Sequence, residues 1–137
     1  MSFWGRHVSV KLIGTAVVVL LLGAFAVALT RPAPREITLV VRGMAFYLEE
    51  GGPPNPTIRV NAGERVRIVL RNEERGIRHD FAAPAMDAAL DPIGWNESAD
   101  VTFAVPDAPG SYDYWCRPHM LMMRGKIIIV TAHDRDS

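Results

Sequence analysis

The chain has 137 residues, and its 15 basic and 15 acidic side chains cancel at neutral pH. Thirteen of the basic residues are arginines scattered along the sequence, so there is no basic stripe to neutralise phosphates, and nucleic-acid binding is not expected. The single cysteine, Cys116, excludes an internal disulfide, a zinc site with two thiolates, a c-type haem attachment motif and a cysteine-ligated iron–sulfur cluster. Any metal site must therefore be built from few ligands.

The N-terminal residues 1–30 differ from the rest of the chain. An uncharged run of 18 residues, 12–29, follows a positively charged start, and the first acidic residue is Glu36. This pattern is typical of export and predicts a hydrophobic N-terminal helix. Residues from Arg31 onward are therefore expected in the periplasm or another extracytoplasmic compartment.

Two fates of this segment are open. At 1.5 Å per residue the apolar run is roughly 27 Å long, close to the hydrocarbon thickness of a bilayer, which favours an anchor that stays in the membrane through residues 12–29. Small residues near 24–28 instead suit signal peptidase. We favour the uncleaved anchor over the cleaved signal peptide because secretory apolar regions usually run only about 7 to 15 residues.

The remaining chain divides into a stiff proline-containing linker at 31–35, one domain at 36–132 and a polar tail at 133–137. One helical turn is predicted near 86–90. Strands are predicted, in chain order, at 36–41 with a continuation at 45–48 past a kink at Gly43, and at 57–60, 64–72, 78–81, 100–105, 111–116 and 126–131.

The pattern within these strands indicates the fold class. Val66, Ile68 and Leu70 alternate with arginines, which is typical of a half-buried strand, whereas 126–131 is a near-continuous apolar run suited to a buried strand. Seven to eight short strands separated by glycine- and proline-containing turns predict an all-β protein, a Greek-key β-sandwich.

The segment after the 111–116 strand carries the residues best suited to chemistry. Cys116 is followed by His119 and then by methionines, so a thiolate, an imidazole and a thioether can converge. His79 is the interior candidate for a second imidazole, because His7 precedes the apolar run and His133 lies near the C-terminus. Two histidines, one cysteine and a distant axial methionine are the ligands of blue copper sites.

These residues resemble the cupredoxin (blue copper) family over 37–131. The segment Cys116-Arg117-Pro118-His119, followed by Met123-Arg124-Gly125-Lys126, looks most like amicyanin, with plastocyanin and pseudoazurin as further relatives. The resemblance implies one copper ion held by His79, Cys116 and His119 as equatorial ligands, with a methionine as the axial ligand. Asp80 follows His79 where many members of the family carry asparagine.

The spacing of the axial methionine leaves two candidates. Amicyanin has two residues between its histidine and its axial methionine, which would select Met122, whereas plastocyanin and pseudoazurin have four. In the family one residue separates the axial methionine from the glycine that opens the last strand, and only Met123 has that relation to Gly125. We therefore predict Met123, with Met122 as the alternative.

The residue counts also constrain the function. One cysteine and few histidines exclude a dinuclear purple site and the copper sets of the family's oxidases and nitrite reductases. Four protein ligands leave no open coordination position, so we expect an electron carrier and not an enzyme. A monomer that docks protein redox donors and acceptors through an apolar patch around His119 is expected, with Pro118, Met120 and Leu121 in the patch.

Two other functions fit some of the same residues. A protein that handles Cu(I) for delivery could use the thioethers of Met86, Met120, Met122 and Met123. A hydrolase or transpeptidase could use Cys116 as nucleophile with His119 or His79 as base, although the sequence offers no evident orienting partner and no glycine-rich oxyanion loop.

Overall fold

Two β-sheets contain about half of residues 32–131, the part of the chain that the computed structural model describes. The predicted N-terminal helix and the polar tail lie outside these residues, and the domain limits at those ends stay predictions. Within residues 32–131, no helix is both long enough and apolar enough to cross a membrane. Nine strands occur in this range: β1 (Arg35–Arg42), β2 (Ala45–Leu48), β3 (Thr57–Asn61), β4 (Arg65–Asn72), β5 (Ala82–Ala83), β6 (Ala88–Ala89), β7 (Ser98–Ala104), β8 (Gly110–Trp115) and β9 (Arg124–Val130).

The first sheet has the order β2-β1-β4-β7 and the second the order β3-β9-β8-β5-β6. Strand β1 runs parallel to β4, and β3 runs parallel to β9, while the other neighbours are antiparallel. Both sheets contribute side chains to one buried cluster, so their inner faces pack against each other as in a β-sandwich. The predicted all-β class and two-sheet architecture are confirmed.

The alternation in β4 contributes three side chains to this interface. Val66, Ile68 and Leu70 are fully buried, as predicted, while Arg67 and Arg71 reach the outer face and pair with acidic side chains. Burying a branched aliphatic side chain contributes about 1.5 to 3 kcal/mol, so this one strand contributes substantially to the stability of the sandwich.

Several predicted elements differ from the structure. Residues 45–48 do not continue β1 past a kink, because Gly43 and Met44 both have positive φ angles (54° and 59°) and reverse the chain into the antiparallel strand β2. Positive φ at both central residues is the geometry of the two-residue turn whose twist matches a hairpin. The strand β1 also begins at Arg35, inside the predicted linker.

The region between β4 and β7 was predicted least well. Residues 78–81 form no strand but a single bridge between His79 and Ile93, and the predicted turn at 86–90 is instead a 3₁₀ turn at Pro84–Met86 followed by β6. The short pair β5 and β6 explains why the structure has nine strands where seven to eight were expected.

The last strand is half-buried and not fully buried. Gly125, Ile127 and Ile129 face the interior, while Lys126 is exposed and Ile128 is partly exposed. Because β9 belongs to one layer of a two-sheet sandwich, only its inner face packs on the core, and its other face stays nearer to solvent despite its apolar composition.

The order of the second sheet brings three chain segments to one end. Cys116 follows β8, β9 begins soon after, and Ala82 of β5 pairs with Trp115 of β8. His79 and Asp80 directly precede β5 and therefore lie beside the end of β8. This arrangement places the predicted ligands together.

Candidate metal centre

Three of the predicted ligands converge. The donor atoms of His79, Cys116 and His119 all lie within 4.8 Å of one another. The Cys116 Sγ atom is 3.8 Å from Nδ1 of His79 and 3.5 Å from Nδ1 of His119. Both imidazoles thus turn the same ring nitrogen towards the thiol, which is an arrangement that one ion could bridge.

His79 is held by the loop that follows β4. Its backbone exchanges two hydrogen bonds with Ile93, and its ring is fully buried. The Nε2 atom lies 3.2 Å from Oε2 of Glu74, and the same oxygen accepts a hydrogen bond from the N–H of Met44 at 3.0 Å. A carboxylate at Nε2 keeps the proton on that nitrogen and leaves the Nδ1 lone pair facing Cys116.

Asn72, the last residue of β4, shapes this loop. Its side chain is fully buried, and the amide nitrogen Nδ2 donates to the carbonyls of Ile77 and Ile93. The side-chain oxygen Oδ1 accepts a hydrogen bond from the N–H of Glu74 at 2.8 Å. One side chain therefore satisfies backbone groups on both sides of the loop, which fixes the position of Glu74 relative to His79.

Cys116 lies at the start of a short 3₁₀ turn, Arg117–His119, directly after β8. This turn carries His119 back towards the thiol. The Cys116 N–H donates to the carbonyl of Met123 at 3.0 Å, and the Met123 N–H donates to the carbonyl of His119 at 2.9 Å. The loop from Cys116 to Met123 is thus closed by its own backbone hydrogen bonds.

The two methionine candidates differ in their surroundings. Met123 is fully buried in the same core cluster as Cys116, whereas Met122 is 57% exposed. The backbone carbonyl of Met122 accepts a hydrogen bond from the side chain of Asn55 at 2.9 Å. Burial thus separates the two side chains and supports Met123, whose role as axial ligand stays a prediction.

The part of the loop surface beside His119 is apolar. Leu121 is 97% exposed and Met120 is 40% exposed, and His119 between this surface and Cys116 is partly buried. Trp115 is partly buried on another side, where the guanidinium of Arg124 lies 5.5 Å from its ring centre. Of the two candidate imidazoles, only His119 therefore reaches the protein surface.

Burial shifts the pKa values of two of the candidate ligands, His79 and Cys116. It lowers the pKa of His79, against the opposing charge of Glu74, so that the ring stays neutral and available as a ligand at pH 7. Burial also raises the pKa of the Cys116 thiol to about 11. A buried thiol that resists ionisation is unlike the activated thiolate of a cysteine hydrolase, which argues against that alternative function.

Sequence reasoning did not predict the contacts of Glu74 and Asp80, two residues beside the ligands. Glu74 carried one signal, an acidic residue five positions before a candidate ligand histidine, since ligating histidines usually donate their second N–H to an acceptor. The role of Asp80 was left open, and its partner proves to be Arg117. The Arg117 backbone N–H and Nε both donate to the Asp80 carboxylate at 2.7 Å, while the Asp80 N–H donates to Cys116 Sγ at 3.4 Å.

Comparison with known proteins decides the family. A family model described as a cupredoxin-like domain matches residues 15–129. The chain belongs to this cupredoxin-like family. No curated protein gives a significant match to the sequence.

Solved structures with this cupredoxin fold include auracyanin, rusticyanin and a copper nitrite reductase. Auracyanin B aligns with a TM-score of 0.59 and 20% identity over 74% of this chain and 93% of that one. Rusticyanin from Thiobacillus ferrooxidans aligns with a TM-score of 0.57 and 21% identity over 73% of this chain and 79% of that one. Copper nitrite reductase from Nitrosomonas europaea gives a TM-score of 0.57 and 22% identity over 77% of this chain and 44% of that one. At these identities the similarity shows the fold, and an electron-carrier role for this cupredoxin is a proposal.

The cupredoxin fold and the donor set fit a single copper ion, as predicted. One thiol, two imidazole Nδ1 atoms and a buried thioether match the preferences of copper for soft and borderline ligands.

The raised thiol pKa predicts how the metal-free protein responds to alkali. Between about pH 9 and pH 11 the unfolded chain loses the Cys116 proton while the folded protein keeps it. Folding stability should therefore fall across this window, by about 2 to 3 kcal/mol. Chemical denaturation of the metal-free protein at several pH values measures the fall.

Cys116→Ala is the matched control, because it retains Tyr114, whose pKa burial also raises. The free energy of unfolding of the wild-type protein minus that of Cys116→Ala should decrease steadily from pH 9 to pH 11. A difference that does not change with pH would show that the folded thiol ionises as it does in the unfolded chain.

The contact between Glu74 and His79 gives a second prediction. Glu74→Ala should weaken copper binding by about 10- to 100-fold, because Nε2 loses the acceptor that fixes the orientation of the ring. Competition with a copper chelator measures the affinity. Glu73→Ala is the control, since Glu73 is a neighbour that pairs with Arg42 and Arg71 on the surface. Equal losses in both variants would contradict the assigned role of Glu74.

Proposed function

We propose that this cupredoxin is a mononuclear type 1 copper protein that carries single electrons between protein partners outside the cytoplasm. The observation that supports it most is the convergence of His79, Cys116 and His119, with the thiol buried and both Nδ1 atoms turned towards it. Copper bound there would supply the electron by changing between Cu(I) and Cu(II). His79, Cys116, His119 and Met123 would hold it.

The residues around this site suit an electron carrier. Four protein donors fill the coordination positions and leave none for a substrate. Hydrogen bonds from the loop backbone and from Glu74 fix the donors before metal binds, so that little needs to move when the oxidation state changes. A preformed, closed ligand set favours fast electron exchange over bond chemistry.

The surface around His119 suits transient docking. Leu121, Met120 and Met122 expose apolar side chains next to the ligand that reaches the surface. A small apolar patch allows a redox partner to bind briefly and dissociate quickly. We propose that protein donors and acceptors dock here and exchange electrons through His119.

The proposed location rests on the sequence alone. The uncharged segment at 12–29 supports export and, if it is not cleaved, attachment to the membrane surface with the copper domain in the periplasm. The linker before β1 contains two prolines, Pro32 and Pro34, which would space the domain from such an anchor.

A second candidate function is the delivery of Cu(I), because the exposed thioethers of Met120 and Met122 lie beside His119 in sequence and at the surface. Met86 and Met123 are buried, so the four methionines do not form one accessible cluster. The binding of Cu(II) distinguishes the two functions, since a Cu(I) carrier made of thioethers gives no thiolate absorption.

Titration of the full-length protein with Cu(II) tests the proposal. One equivalent should produce an intense visible band from charge transfer between the Cys116 thiolate and copper. Cys116→Ser should keep the β-sheet circular dichroism spectrum and lose this band. A wild-type protein that binds copper without the band, or a band that persists in Cys116→Ser, would show that the site is of another kind.

The buried position of Met123 predicts which methionine is axial. Met123→Leu should keep the blue colour, because the other three donors remain, and should raise the reduction potential by removing a donor that favours Cu(II). Met122→Leu is the matched control, being the same change at the exposed neighbouring position. Protein-film voltammetry measures both, and a larger shift in Met122→Leu would assign the axial role to Met122.

A further inference from the structure

Asp80 is an acidic residue with almost no access to water. Its side chain is 2% exposed, and it follows His79 directly in the sequence. An unpaired carboxylate at such a position would cost several kcal/mol, so it needs partners. The partners lie in the loop that carries three of the candidate ligands, Cys116, His119 and Met123.

Asp80 makes three hydrogen bonds with this loop. The two carboxylate oxygens accept hydrogen bonds from the backbone N–H and from Nε of Arg117, each at 2.7 Å. The backbone N–H of Asp80 donates to Cys116 Sγ at 3.4 Å. Asp80 therefore contacts the Cys116 thiol, the backbone N–H of Arg117 and the side chain of Arg117.

Arg117 extends the connection to a third segment. Its terminal nitrogen donates to the carbonyl of Leu90 at 2.7 Å, and Leu90 in turn donates its N–H to the carbonyl of Phe81. The guanidinium thus joins the ligand loop to the segments on both sides of β5 and β6. A planar guanidinium can do this because it donates in several fixed directions at once.

We propose that Asp80 and Arg117 act as one charge-compensated positioning pair. The pair ties the segment that carries His79 to the loop that carries Cys116 and His119, and its opposite charges cancel beside the thiol. Asp80 is tolerated next to the site because Arg117 neutralises it, and Arg117 is held at the site because Asp80 binds it.

Cancellation of charge has a consequence for copper that rests on the proposed function. The oxidised ion carries one more positive charge than the reduced ion, so an uncompensated negative charge nearby favours Cu(II), and an uncompensated positive charge favours Cu(I). Asp80→Asn leaves Arg117 unbalanced and should raise the reduction potential. Arg117→Gln leaves Asp80 unbalanced and should lower it. The double variant should return close to the wild-type value.

A double-mutant cycle on the full-length protein tests the pair. In the metal-free protein, Arg117→Gln should lower the folding equilibrium constant by about tenfold or more, since it leaves the buried Asp80 carboxylate without its charged partner. Asp80→Asn should cost less, since the Arg117 side chain that it leaves unpaired is 48% exposed. The double substitution should cost clearly less than the sum of the two. Urea denaturation measures this cycle, and voltammetry of the copper-loaded proteins measures the potentials.

A second ion pair in the chain provides the matched control. Arg67 and Asp100 form a bidentate pair on the outer face of the first sheet, with both side chains about half exposed. Arg67→Gln and Asp100→Asn remove the same charges from the molecule. They should leave the potential and the metal-free stability nearly unchanged, because exposed pairs contribute little.

Two outcomes would overturn the proposal. One is a shift of the reduction potential in the same direction in both single variants, and the other is an additive loss of stability. If Asp80→Asn does not fold, Arg117→Lys and Arg117→Gln test the proposal instead. Lysine keeps the charge and should keep the reduction potential, whereas glutamine should lower it. Equal lowering of the potential by both substitutions would overturn the compensation of charge. A wild-type protein that never turns blue would refute the proposed function, while the metal-free cycle would still decide whether the pair exists.

Discussion

The hydrogen bond from the Cys116 N–H to the Met123 carbonyl closes the loop on which the whole site depends. It continues the pairing of β8 and β9 beyond their last paired residues, Trp115 and Arg124, so the loop begins and ends at fixed points of the second sheet. Cys116, His119 and Met123 therefore have little freedom relative to one another. The loop needs only His79 from elsewhere to complete a set of four donors.

The register of β8 and β9 has its own physical cause. Tyr114 pairs with Gly125, and a Cβ atom at position 125 would overlap the tyrosine ring far inside van der Waals contact. The ring cannot move aside, since it stacks on Phe81 and its hydroxyl donates to the carbonyl of Pro56. Glycine at 125 thus lets the aromatic core lie directly beneath the ligand loop. A shift by one residue would turn Met123 away from the interior.

Sequence patterns predicted the features that depend on nearby residues. The buried face of β4 followed from the alternation of Val66, Ile68 and Leu70, and His79, Cys116 and His119 followed from the chemistry of their side chains. The strands β5 and β6 could not be predicted, because alanines favour strands weakly and these pair only where β8 already lies. The contact between Asp80 and Arg117 spans 37 residues, and no local pattern encodes it.

The two imidazoles differ in burial and therefore in what each can do. His79 is fully buried and bound to Glu74, so it can hold a metal but cannot meet a partner. His119 lies at the end of a single 3₁₀ turn, with its ring centre 4.8 Å from that of His79 and with Met120 and Leu121 exposed beside it. Exposed apolar side chains favour non-specific association, and three of the four large ones that are exposed within residues 32–131 (Met120, Leu121 and Met122) lie in the loop of the one candidate ligand that reaches the surface. That cost is understandable if partners dock there, since an electron would then enter and leave through His119 while His79 and the thiol stay shielded from water.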